Sequence, residues 1–164
     1  MNISKADAAM LGRRAEQPVK GPGDLIAVFV AGKLVNPLNA SAWGWQKRSR
    51  LARQWKERVA HAVYDAVQDS RTELIITTVF GSKMPKVVTF LANVFNLFDS
   101  DGLQASLKPV RDALVECRVI SGDADRDGHT FRYEQKIDRK RRGVEIRVRL
   151  AEIIPATAGG EDQG

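Results

Sequence analysis

The amino-acid sequence predicts an α/β fold of the α+β kind, a single domain in which one mixed β-sheet carries two main helices. Three observations point there. Five short segments are rich in β-branched and apolar residues. Two longer segments repeat apolar residues at three- and four-residue steps. The chain has 164 residues, 43% of them hydrophobic, which suffices for one buried core. No apolar run approaches the roughly 18 residues that crossing a membrane requires.

The elements follow in order. Residues 1–23 are polar or small, end in Lys20-Gly21-Pro22-Gly23, and read as a flexible arm. The folded domain is expected at 24–154, followed by a Gly-rich disordered tail at 155–164. Leu25–Val30 is a compact apolar strand, closed by Gly32 and then by Asn36-Pro37. Ser41 is a candidate cap for a helix whose stripe is Leu51, Trp55, Val59, Ala62, Val63 and Ala66. Trp55 lies on that stripe and belongs to the core, whereas Trp43 and Trp45 are open to stacking on bases. Glu73–Phe80 is a β-branched strand, and Lys86–Ala92 is another after the turn at Gly81–Pro85. A second helix is expected from Gly102 to Cys117, buried through Leu103, Leu107, Val110 and Leu114. Pro109 either kinks that helix or marks the first turn of a shorter one. Phe131–Ile137 and Gly143–Leu150 read as strands, the second alternating cleanly with period two, and are expected to form a hairpin across a basic loop.

The formal net charge is +6 and the pI about 9.7. Lys47, Arg48 and Arg50, with Arg53, Lys56 and Arg58, crowd the first helix. Arg139, Lys140, Arg141 and Arg142 crowd the loop between the last two strands. Two such clusters suit the phosphate backbone of DNA, although solvated charge is the ordinary alternative. The single Cys117 excludes an internal disulfide and a cysteine-rich zinc site, and reads as a buried, inert thiol. The two histidines exclude a histidine-rich metal site. Without an apolar leader the expected location is cytoplasmic, with no membrane partner.

The chemistry concentrates in acidic residues. Asp99 and Asp101 follow the strand at Lys86–Ala92, and Asp123 and Asp125 follow the second helix. In extended chain Asp99 and Asp101 point the same way. If the helix starts near Asp101, then Gln104, Lys108 and Asp112 share its face, with Lys108 about 10 Å along the axis. Carboxylates from these sources meeting at one point make an oxygen-rich site for Mg²⁺, with the Lys108 ammonium near a phosphate held there. The plain alternative is that Asp99 and Asp101 only cap a helix.

The order of strand, Asp99-x-Asp101-Gly102-Leu103, Lys108-Pro109-x-x-Asp112-Ala113-Leu114, Val119-Ile120, acidic pair, strand, Gly143-Val144-x-Ile146 resembles the RusA-type Holliday-junction resolvases over about Lys86 to Leu150. The resemblance implies a homodimeric α/β endodeoxyribonuclease that cuts branched DNA such as four-way junctions, serving recombination and repair, common in phages and prophages. It implies Mg²⁺ as cofactor, with Mn²⁺ as a substitute. By motif position it implies catalytic roles for Asp99, Asp101, Lys108 and a later aspartate, Asp123 or Asp125, and metal ligation by those aspartates. Gly102 stands where the family pattern carries asparagine.

A competing motif shares these residues. Asp123-x-Asp125-x-Asp127-Gly128-x₅-Glu134 matches the calcium loop of an EF-hand. That reading requires a helix on each side, yet Phe131–Ile137 alternates like a strand and Gly122 breaks the entering side. A calcium-binding protein and a noncatalytic DNA-binding module are the alternatives to the nuclease.

Overall fold

The computed structural model describes residues 16–37, 44–68, 80 and 82–152. It contains strand β1 (Asp24–Ala31), helix α1 (Trp45–Gln68), strand β2 (Lys86–Val94), helix α2 (Ser100–Glu116), a 3₁₀ turn (Asp125–Asp127), and strands β3 (Thr130–Ile137) and β4 (Gly143–Leu150). The strands form one mixed sheet in the order β1-β4-β2-β3. Both β1 and β2 run antiparallel to β4, and β3 runs parallel to β2. Three strands therefore run the same way, with β4 inserted between two of them in the opposite sense. The expected fold class, a mixed sheet with two main helices, is the one found.

Side-chain alternation decides what each face buries. Directly paired residues make rows across the sheet: Val28, Ile146, Phe90 and Tyr133 in one, and Ile26, Val148, Val88 and Phe131 in the next. Phe90 stacks on Phe131 at 6.4 Å and on Tyr133 at 5.6 Å between ring centroids. These rows join Trp55, Val59 and Val63 of α1 and Leu103, Leu107, Val110 and Leu114 of α2 in one apolar core. Each fully buried Val or Leu there is worth about 1.5–3 kcal/mol over an exposed one.

The hairpin expected for Phe131–Ile137 and Gly143–Leu150 is not formed, because β2 lies between them. The physical reason is the helix. β3 follows β2 through α2, and a crossover of that length returns the chain parallel and adjacent to the strand it left. Residues 138–142 then span two strand spacings, about 10 Å, over the end of β2. Asp138 donates its N–H to the Val94 carbonyl at 3.0 Å on the way.

Helix α2 runs through Pro109, which costs the Ala105 carbonyl its partner but leaves the apolar stripe intact. The helix ends in a Schellman arrangement. The Val119 N–H reaches Leu114 O, the Arg118 N–H reaches Val115 O, both at 2.9 Å, and Arg118 takes φ 59°. Of the expected N-terminal arm, residues 16–23 are tied to the sheet: Gln17 accepts from the Phe29 N–H at 2.9 Å and donates to its carbonyl at 3.4 Å. That bond pair caps the outer edge of β1. The expected helix cap Ser41, Trp43, and the body of the strand expected at Glu73–Phe80 lie outside the described residues, while Phe80 packs against the core. No helix among the described residues is long and apolar enough to cross a membrane.

Candidate functional site

At one end of the sheet, β1, β2 and β3 finish and β4 begins, so their connections gather there. The segment after β2 carries Asp99 and Asp101 into α2. Asp99 is the N-cap: its Oδ1 accepts from the Gly102 N–H at 2.9 Å. Asp101 follows in the first turn, exposed, with the Ser100 hydroxyl donating to its Oδ1 at 3.4 Å. Asp99 thus caps the helix, as the plain alternative expects, and both carboxylates are exposed.

Two residues to which the sequence assigned no role at the site hold this junction. The Gln135 amide on β3 donates to the Phe98 carbonyl at 2.8 Å and accepts from its N–H at 2.9 Å. That clamps the residue preceding the cap. Asn36, buried at 8% exposure, fills the space above Gly102. A Cβ at Gly102 would overlap Asp99 Oδ1 and Asn36 Nδ2, both well under 3.0 Å away. Glycine is required here by close approach. Asn36-Pro37 in the sequence signals a turn but nothing of this contact.

Lys108 lies on the same face of α2 as Asp101, as the spacing predicts, and is exposed. Its ammonium stands 3.3 Å from Asp112 Oδ1 and 3.9 Å from Asp123 Oδ2. Asp123 is held more firmly by Arg111, whose Nη2 donates to the same Oδ2 at 2.8 Å. That bond, with a smaller contribution from Lys108, holds the Asp123 carboxyl below the usual carboxylate range. Arg111 is itself fixed: Nη1 donates to the Tyr133 hydroxyl at 2.8 Å, and the guanidinium lies 4.8 Å from the centroid of the Phe131 ring.

Asp123 therefore stands at the middle of α2, about 10 Å along the axis from Asp101, where Lys108 and Arg111 hold it. Among the described residues no group of three or more His, Cys, Asp or Glu side chains is placed to hold a metal ion. The Asp125 side chain lies outside the described set. Asp127 is engaged with backbone, its Oδ2 accepting from the Ala124 N–H at 3.1 Å to close the 3₁₀ turn. Glu134, the last position of the calcium loop, sits in β3 opposite Leu91. The second flanking helix an EF-hand needs is a strand.

The basic residues divide. Lys47, Arg48, Arg50 and Arg53 are exposed on the first turns of α1, with no acidic residue in its first turn. Cations at a helix N-terminus oppose the macrodipole, an arrangement that an anion relieves. Arg48 and Lys108 both line a cleft of about 240 Å³ between the helices, with Leu51, Trp55 and Pro109 among its walls. In the loop, Arg139 and Lys140 face outward, Arg139 4.7 Å from the Phe95 ring. Arg141 lies 4.1 Å from the Phe29 ring and donates to the Glu16 carbonyl, and Arg142 is half-buried. The loop adjoins the segment leading to Asp99, since it crosses the end of β2, where that segment starts.

Away from this end, Cys117 is half-buried at the C-cap of α2, and burial pushes its thiol up. Comparison with protein-family models and with curated proteins returns no match to this chain.

Proposed function

We propose that the protein is a Mg²⁺-dependent endodeoxyribonuclease that cuts branched DNA such as four-way junctions, working as a homodimer in the manner its sequence resemblance implies. The observation that carries this reading is the strand-to-helix junction. It presents Asp99 and Asp101 side by side, with Lys108 on the same helix face and Arg48 across a shared cleft. Carboxylates beside cations on a basic surface suit a metal ion and a polyanion together. A bound cation would supply Lewis-acid assistance to attack on a phosphodiester. Asp99 and Asp101 are its first two ligands and Asp123 or Asp125 the third, Asp123 by moving away from Lys108 and Arg111. Lys108 neutralises charge on the phosphate, and Lys47, Arg48, Arg50, Arg139 and Lys140 hold the backbone on either side.

The test incubates purified protein with a synthetic four-way junction and a matching linear duplex in Mg²⁺, Ca²⁺ or EDTA. Junction cleavage in Mg²⁺ alone is expected, abolished in Asp99→Asn and Asp101→Asn while junction binding persists. Binding without cleavage under every condition would reduce the protein to a DNA-binding module. Light scattering should report about twice 18.2 kDa.

A further inference from the structure

Arg111 and Lys108 make an arrangement that the proposed nuclease role does not yet use. Both cations address a single oxygen, Asp123 Oδ2, at 2.8 and 3.9 Å. Arg111 is held in place without Asp123, by the Tyr133 hydroxyl and the Phe131 ring, and its buried Nε has no hydrogen-bond partner among the described residues. Asp123 instead belongs to the loop between Val119 and the 3₁₀ turn, beside Gly122, so the carboxylate can leave while the guanidinium stays. The place is open to solvent, since the Lys108 side chain is 63% and that of Asp123 33% exposed.

We propose that Arg111 and Lys108 form a seat for a DNA phosphate oxygen, and that Asp123 occupies it as an internal stand-in when DNA is absent. A guanidinium whose donors lie in one plane accepts carboxylate and phosphate oxygens by the same geometry. A partly exposed ion pair holds its partner weakly, so exchange for a more highly charged phosphate is cheap. Departure of Asp123 leaves Arg111 without its carboxylate and Lys108 with Asp112 alone, an excess of positive charge that a phosphate offsets. The exchange also frees Asp123 to approach Asp99 and Asp101, linking arrival of substrate to completion of the carboxylate set. The inference rests on the proposed function only in taking DNA as the source of the phosphate.

Binding is therefore read without chemistry, by fluorescence anisotropy of a labelled junction in EDTA across a salt series. Asp123→Asn should tighten binding about five-fold, because no carboxylate has to be displaced, with the dependence of log K on log salt nearly unchanged, since the bound phosphate contacts are the same. Combined with Arg111→Gln, the same substitution should gain less than about 1.5-fold, because the seat has lost its guanidinium. An equal gain from Asp123→Asn in both backgrounds would show general charge repulsion and overturn the proposal. Should Arg111→Gln lose its cooperative melt, the exposed Lys108 replaces it in the test: Lys108→Gln should lower the salt slope by about 0.9 and shrink the gain from Asp123→Asn, and an unchanged slope with an undiminished gain overturns the seat. Failure of the nuclease reading shows separately, as absence of cleavage in Mg²⁺.

Discussion

Replacing Gly102 with asparagine should destabilise this protein. Its new Cβ would overlap Asp99 Oδ1 and Asn36 Nδ2. Each of those atoms ends a flexible side chain, so the cost depends on whether either can retreat. Asn36 is 8% exposed and has nowhere to go within the packed interior. Asp99 can retreat only by giving up the cap, worth about 1 kcal/mol. Overpacking of a filled site adds about 1–3 kcal/mol. Helix propensity returns only a few tenths of a kcal/mol for Asn over Gly. The net loss is about 2–4 kcal/mol, a fall in Tm of roughly 5–15 °C for a chain of this size.

Thermal melting followed by circular dichroism, with urea titration in parallel, measures the effect. The compensating change identifies the cause: Asn36→Ala removes the amide from above position 102, and the double variant should recover at least half of the loss. A Gly102→Asn protein melting within about 1 °C of the parent would refute the packing argument. So would a double variant no better than the single, because the clash would then lie elsewhere.

Other expectations follow from the same geometry. Asp99→Ala should cost about 1 kcal/mol in denaturant titration, whereas Asp99→Asn, which caps equally well, should stay within about 0.5 kcal/mol; equal losses would mean the cap contributes nothing. Arg118→Gly should raise stability by about 0.5–1 kcal/mol, since φ 59° strains any residue bearing a Cβ; a loss would show that the arginine side chain matters more than the backbone. His129 is 9% exposed, its Nδ1 accepting from the Lys86 N–H at 3.2 Å and its Nε2 2.9 Å from the Ser121 hydroxyl. Burial, aided by the nearby Lys86 ammonium, holds its pKa below the ordinary value. The unfolded chain then takes up the proton first, so stability should decline as pH falls below about 6.5. His129→Gln should flatten that decline, and an unchanged pH profile would remove His129 as its source.

The fold was legible where periodicity fixes burial. The Leu103, Leu107, Val110 and Leu114 stripe and Val144, Ile146 and Val148 of β4 entered the core as their spacing predicts, while Leu150 at the strand end is only partly buried. Strand neighbours were not legible, because alternation assigns faces and says nothing about which strand lies beside which. The basic loop between β3 and β4 looked like a hairpin tip for that reason, although the helix before β3 already dictated parallel pairing with β2. Pro109 shows the complementary limit: one missing hydrogen bond is outweighed by a buried stripe on both sides of it.

At the site, what is local in sequence was legible and what is assembled in space was not. Asp99, Asp101 and Lys108 sit on one short segment, and their offsets alone place them on a shared helix face. Asn36, Gln135, Tyr133 and Arg111 reach the site from other elements or turn inward from α2, and no spacing announces them. They also alter the meaning of the acidic motif. Asp123 reads in sequence as a third carboxylate for a cation, yet Arg111 holds it at 2.8 Å, beside Lys108 and away from the other two. Two carboxylates at a helix N-terminus and a third neutralised by an arginine form a resting arrangement of low net charge. Bringing all three together without a cation would set like charges against one another, which low dielectric makes expensive. The ion pair with Arg111 is therefore the lower-energy place for Asp123 in the protein by itself.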